Sequence, residues 1–324
     1  MTPPRDARPH VWRTDDGVVL HGWIWEPETP RGIVVVRTPY GAWRHGDTAR
    51  SWVRRGYRCL VQDVRGRHDS GGEWNPYLHE RRDGASVVVA LRAQDPHLPV
   101  VLSGGSYDAH AALECARDVD VDALVLMVPA LGLAETAWDA EGRPQLLDRI
   151  GWWHQHGRGP RSFPPLTEGE LYARVASAER RGVERAARDW GWAPTVLAGW
   201  RRLWTTPPVD LDRAYGAIDA PLLLIRGDDD FFHADAGRLA AAWGADVHVV
   251  DGPWGHRLGA DIRDEDVRAR LRDSGGIGGV LDAWLARTGL PSGAAGTRHV
   301  VPAGRRSRSA FEPRSGRWHH ERTA

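Results

Sequence analysis

Apolar residues recur along this chain in two rhythms. Val18 to Trp25 alternates loosely between two faces, the period of a half-buried strand. Gly32 to Val36, Val100 to Leu102 and Asp122 to Val128 are more continuous apolar runs, and Tyr57 to Val64 reads as a further strand. Such runs suit strands covered on both faces. Helical stretches fall between them. Asp47 to Arg55 has Asp47 placed as a cap and Gly56 as a stop, and Glu80 to Ala93 and Ala109 to Arg117 follow. Repeated strand–helix alternation predicts a mostly parallel sheet with helices on both faces, an α/β fold.

The rhythm breaks between Leu131 and Ile218. No strong strand signal occurs there, while Leu166 to Ala187 and Ala193 to Leu203 read as helices. The segment holds seven tryptophans: Trp138, Trp152, Trp153, Trp190, Trp192, Trp200 and Trp204. A helical cap inserted over the carboxyl edge of the sheet explains both features, with most of these rings forming the cap's own core. Strand signals return at Ala220 to Ile225 and Asp246 to Val250, and Gly276 to Arg287 reads as a closing helix. The expected organisation is a core of residues 1–130 and 219–290, a cap of 131–218 and a tail of 291–324. Rich in Gly, Ser and Arg, the tail is expected to be loosely held.

At 324 residues the chain is long enough to bury a sizeable core. Basic and acidic residues balance at 43 each, so no net field favours nucleic acid or an anionic membrane. Every one of the basic residues is arginine, which removes Schiff-base, lysine general-base and P-loop chemistry. Cys59 and Cys115 are expected to be buried free thiols. His154 and His156 flank Gln155 but lack a third ligand, so no metal and no cofactor is expected. Met1 to His10 lacks an apolar signal core and no run is long enough to span a bilayer, which makes a cytoplasmic protein the default. The expected partner is a small-molecule substrate, with a homo-oligomer left open.

The candidate chemistry centres on Pro99 to His110, where a strand turns through Gly104 and Gly105 into Ser106 and then a helix. Such a turn lifts the serine hydroxyl above the sheet edge and sets the next backbone N–H groups at a helix N-terminus, facing a developing oxyanion. Serine needs a base to take its proton. Gly227-Asp228-Asp229-Asp230-Phe231-Phe232 follows one strand, and Gly252-Pro253-Trp254-Gly255-His256 follows the next. Ser106, Asp230 and His256 thus stand in the chain order of α/β-hydrolase triads, with Asp228 as the fallback acid. Trp152, Trp153, Phe231 and Phe232 are candidate substrate-binding walls.

Four segments together resemble the cocaine esterase / X-prolyl dipeptidyl-peptidase family of serine hydrolases. They are Arg37-Thr38-Pro39-Tyr40-Gly41; Gln62 to Arg67 with Asp69-Ser70-Gly71-Gly72-Glu73; Gly104-Gly105-Ser106-Tyr107; and Gly252-Pro253-Trp254-Gly255-His256. The resemblance runs in order from about Val18 to Arg287. It implies an α/β-hydrolase fold, with Tyr40 supplying an oxyanion-hole hydroxyl beside the Tyr107 backbone N–H. It also implies Asp230 as the acid and His256 as the base. The chain departs from the family in having Ala109 three residues after the serine and His68 where glycine is usual. The family's C-terminal β-sandwich has no room in this length, so the pocket is expected to be more open, closed by the cap, or completed by another subunit.

These residues point to a serine hydrolase acting on an ester or amide through an acyl-enzyme. Acyl transfer, cyclisation or bond-forming addition on the same scaffold remains an alternative, and a non-catalytic ligand-binding protein is a third.

Overall fold

The computed structural model describes residues 4–293 and 299–323. Ten strands form one sheet: β1 Arg8–Arg13, β2 Val19–Trp25, β3 Gly32–Thr38, β4 Tyr57–Asp63, β5 Val100–Gly105, β6 Ala123–Met127, β7 Leu222–Gly227, β8 Val247–Gly252, β9 Arg306–Glu312 and β10 Arg317–Arg322. Their spatial order is β1-β2-β4-β3-β5-β6-β7-β8-β9-β10. Neighbours from β4 to β9 are parallel, and β1, β2 and β10 pair antiparallel at the two edges.

The helices are α1 Gly46–Arg54, α2 Glu80–Gln94, α3 Tyr107–Cys115, α4 Leu133–Ala137, α5 Leu146–His156, α6 Glu168–Arg181, α7 Val183–Asp189, α8 Pro194–Thr205, α9 Leu211–Tyr215, α10 His233–Ala242, α11 Glu265–Asp273 and α12 Gly276–Arg287. The continuous apolar runs have a direct cause. In β3 all seven residues are buried. Ile33 and Val35 join one apolar cluster with Val87, Leu113 and Leu239, while Val34 and Val36 join another with Trp52, Val280 and Trp284. Alternate side chains therefore meet helices on opposite faces of the sheet.

Between β6 and β7 the chain is helical, and its apolar residues form a third cluster around Ile150, Trp153, Trp192 and Trp200. The single helix expected over Leu166 to Ala187 is two helices. Thr167 and Glu170 form a reciprocal capping box at the start of α6, and Gly182, with φ 80°, breaks the run before α7. At α1 no side chain caps the helix; Asp47 lies inside its first turn and pairs with Arg50 at 3.0 Å. Among the described residues no helix is long and apolar enough to cross a membrane.

The expectation of a loosely held tail is corrected for residues 306–322, which form β9 and β10; residues 294–298 and Ala324 lie outside the described residues. The sequence Arg306-Ser307-Arg308-Ser309-Ala310-Phe311 alternates like a strand, with its small serines turned inward. Ser307 and Ser309 bury against His248 of β8, their hydroxyls 2.8 and 2.7 Å from Nδ1 and Nε2. Arg308 pairs with Asp251. An Arg/Ser composition that suits a solvated tail here satisfies a sheet edge.

This docking carries a pH dependence. Burial pushes the His248 imidazole down to about 3, whereas the unfolded chain takes up that proton near the ordinary histidine value. Below about pH 6.5 the unfolded state therefore binds more protons, and stability falls as pH falls. Asp63 and Glu80, both pushed up to about 7 by burial, act in the opposite direction. The comparison must therefore be made against a variant. Between pH 7 and pH 5 the parent should lose about 2 kcal/mol more than His248→Asn in urea unfolding. Equal losses would show that this histidine does not govern the edge.

Candidate active site

Ser106 sits between β5 and α3 with φ 56° and ψ −119°. A serine held in this region stores backbone strain of about 1–3 kcal/mol. The turn closes because Gly104 has no side chain; a Cβ there would lie 2.3 Å from the Asp108 backbone. Strand end and helix start can thus touch, and Ser106 N–H donates to the Met127 carbonyl at 3.0 Å.

Two further strand ends bring the remaining groups to this serine. Asp230 follows β7, and His256 follows β8 on a loop whose Trp254 is fully buried and donates to the Arg226 carbonyl at 3.0 Å. A Cβ at Gly252 would sit 2.1 Å from the Trp254 ring, which accounts for glycine opening this loop. Ser106 Oγ lies 2.9 Å from His256 Nε2, and His256 Nδ1 lies 2.8 Å from Asp230 Oδ1. Asp230 is 5 % exposed, whereas Asp228 lies exposed and does not join this row. Phe231 stacks on the imidazole with ring centroids 4.4 Å apart, and Phe232 meets it edge-on at 5.5 Å. These rings limit how the imidazole can tilt.

A cavity of about 710 Å³ opens above the row, lined by Ser106, His256, Tyr40, Trp152, Phe231 and Phe232 among others. The sheet's strand order reverses direction between β3 and β5, the crevice position where ligands bind in open α/β sheets. Tyr40 follows the first of these strands and Ser106 the second.

Trp152 Nε1 donates to Tyr40 Oη at 3.0 Å. An indole nitrogen is a donor only, so this bond occupies an oxygen lone pair and leaves the tyrosine proton free to donate. Burial also raises the Tyr40 hydroxyl above its ordinary pKa and keeps it protonated.

Tyr107 contributes differently. Its side chain is buried, its hydroxyl donates to Glu80 and accepts the Tyr77 N–H at 2.8 Å. Its own N–H is the first of α3 and has no acceptor within the helix.

Trp153 is corrected. It is 1 % exposed and packs edge-to-face on Trp200 within the third apolar cluster. Consecutive residues of a helix point about 100° apart, so α5 turns Trp152 to the cavity and Trp153 inward.

Further lining residues went unread in the sequence. Asp108 is 5 % exposed, with one carboxyl oxygen unpartnered, and burial raises it well above the carboxylate range. His45, 3.9 Å from Asp108 Oδ2, and His156 are both pushed down to about 4 by desolvation. Asp108 occupies the place of the missing second glycine in Gly-x-Ser-x-Gly, the one local signal pointing to it. His68 adopts φ 50°, which explains why glycine suits that position. Cys59 and Cys115 are free and buried. Among the described residues no group of three or more His, Cys, Asp or Glu side chains could hold a metal ion.

A family model described as X-Pro dipeptidyl-peptidase (S15 family) matches residues 16–257. Cocaine esterase from Rhodococcus sp. (strain MB1 Bresler) is 26% identical over 276 residues, covering 74% of this chain and 47% of that protein. A non-heme haloperoxidase from Rhodococcus erythropolis is 28% identical over 193 residues, 55% of this chain and 66% of its own length. The chain thus spans less than two thirds of either relative.

Among solved structures, an aminopeptidase from a marine sediment Thaumarchaeota archaeon superposes with a TM-score of 0.71 at 19% identity, over 98% of this chain and 60% of the other. An α-amino acid ester hydrolase superposes with a TM-score of 0.61 at 18% identity, over 97% and 58%. The architecture is the α/β-hydrolase fold, and its extra strands β9 and β10 lie beside β8. With the family model matched from before β2 to the residue after His256, the chain belongs to the X-Pro dipeptidyl-peptidase (S15) family.

Proposed function

We propose that the protein is a serine hydrolase that cleaves an ester or amide through an acyl-enzyme intermediate. The observation that carries this reading is the unbroken row Ser106 Oγ, His256 and Asp230 Oδ1, with contacts of 2.9 and 2.8 Å, opening into the cavity.

In this reading His256 Nε2 takes the serine proton as Oγ bonds to the substrate carbonyl carbon. Asp230 fixes the Nδ1–H tautomer and stabilises the imidazolium. The carbonyl oxygen, now an oxyanion, accepts from the Tyr107 N–H and the Tyr40 hydroxyl. Trp152 acts through Tyr40 as a positioning residue. Collapse of the tetrahedral species breaks the bond to the leaving group, which receives the proton held by His256. Water then gives a proton to His256 and attacks the acyl carbon. Its collapse releases the acid product and returns the proton to Ser106.

The test is intact-mass analysis after exposure to a fluorophosphonate. One adduct is expected on the native protein and none on Ser106→Ala. A folded native protein that takes up no adduct, or a variant that retains it, overturns the reading.

A further inference from the structure

Burying a cation without a counter-ion is costly, and arginine cannot shed its proton to escape the cost. The protein's other deeply buried arginines meet that cost with hydrogen bonds or a nearby carboxylate. Arg67 donates to the Pro39 and Gly159 carbonyls and to Ser162 Oγ, and Arg37 donates to Gln62 and the Glu80 carbonyl with Asp83 3.8 Å away.

Arg149 of α5 does not. It is 7 % exposed and lines the cavity that contains Ser106; its Nε has no partner. Among the described residues its side chain forms neither a hydrogen bond nor an ion pair. It stands on α5, the helix that carries Trp152 to the Tyr40 hydroxyl, and lines the same cavity as both.

No other lining group compensates it. Burial pushes the Asp108 carboxyl well above the ordinary carboxylate range, and Asp148 is exposed. His45 and His156 are held neutral, and Arg257 is an exposed second cation. The interior of the cavity is therefore electropositive at one point, with the Tyr40, Trp152, Phe231 and Phe232 rings among its walls.

We propose that Arg149 anchors a carboxylate on the substrate, so that the ester or amide cleaved at Ser106 carries a free carboxylate elsewhere in its structure. A planar guanidinium binds a carboxylate through two parallel hydrogen bonds. One buried cation matches one negative charge, which favours a carboxylate over a dianionic phosphate. The proposal rests on the hydrolase reading above, and it names the substrate class of that site.

The test reads binding, so it stands apart from turnover. Hydrocinnamate and its neutral amide are titrated calorimetrically into Ser106→Ala protein. The carboxylate should bind at least about tenfold more tightly than the amide. That ratio should fall towards one in Ser106→Ala/Arg149→Met, and Ser106→Ala/Arg149→Lys should retain part of it. The lysine variant keeps the cation, so it separates loss of charge from loss of fold. Equal binding of acid and amide by the parent, or an undiminished ratio in the methionine variant, overturns the proposal. So does tighter binding of phenethyl phosphate than of hydrocinnamate. A native protein that fails to label with fluorophosphonate yet shows the full carboxylate ratio refutes the hydrolase reading and supports the anion anchor.

Discussion

Ser106→Ala should lower kcat/KM for an activated ester by roughly 10⁴–10⁶-fold while leaving the folded protein intact. The size follows from losing the covalent route altogether, so that a water held in the cavity must attack without an acyl-enzyme. The fold should survive because, among the described residues, the lost hydroxyl hydrogen-bonds His256 alone, at 2.9 Å. Alanine at φ 56° is strained no more than serine. Steady-state hydrolysis with a matched thermal melt checks both parts. Turnover within tenfold of the parent would end the acyl-enzyme reading.

Asp230→Asn should cost about 10⁴-fold in kcat, and Asp228→Asn less than about threefold. An asparagine offers His256 Nδ1 an N–H group as readily as a carbonyl. The imidazole can then turn its proton toward Ser106 and lose the ability to accept one. Asp230 lies in range, with Oδ1 at 2.8 Å from the ring, whereas Asp228 is exposed. Loss of fold does not explain the expected effect, since removing a charge that is 5 % exposed relieves a desolvation cost. Paired kinetics on the two variants decide the matter. Comparable losses would transfer the acid to the neighbouring loop position, and no loss in either would remove the carboxylate from the mechanism.

The legible and illegible parts of the site differ for physical reasons. Ser106, Asp230 and His256 could be read because each follows a recognisable strand, and a parallel sheet sends all its carboxyl ends to one edge. Tyr40 could be read only through the family resemblance. Nothing in a strand-end tyrosine reveals that Trp152 will occupy its oxygen and free its proton. Asp108 gave the sole local hint, a missing glycine, without indicating that its carboxyl would be buried. Arg149 gave none; among 43 arginines, its lack of a side-chain partner among the described residues is visible only once the other buried guanidinium groups have found theirs.

The chain by itself determined the layered α/β architecture, the helical break between β6 and β7 and the order in which Ser106, Asp230 and His256 follow their strands. Those properties follow from local periodicity, which reports whether a segment is covered on one face or two. The tertiary structure decided which of two adjacent tryptophans faces the cavity, whether an Arg/Ser-rich terminus completes a sheet edge, and which buried arginine is left without a side-chain partner among the described residues. Each of these depends on what packs opposite. A side chain's neighbours across a helix interface or a strand ladder come from distant parts of the chain, so local pattern cannot specify them.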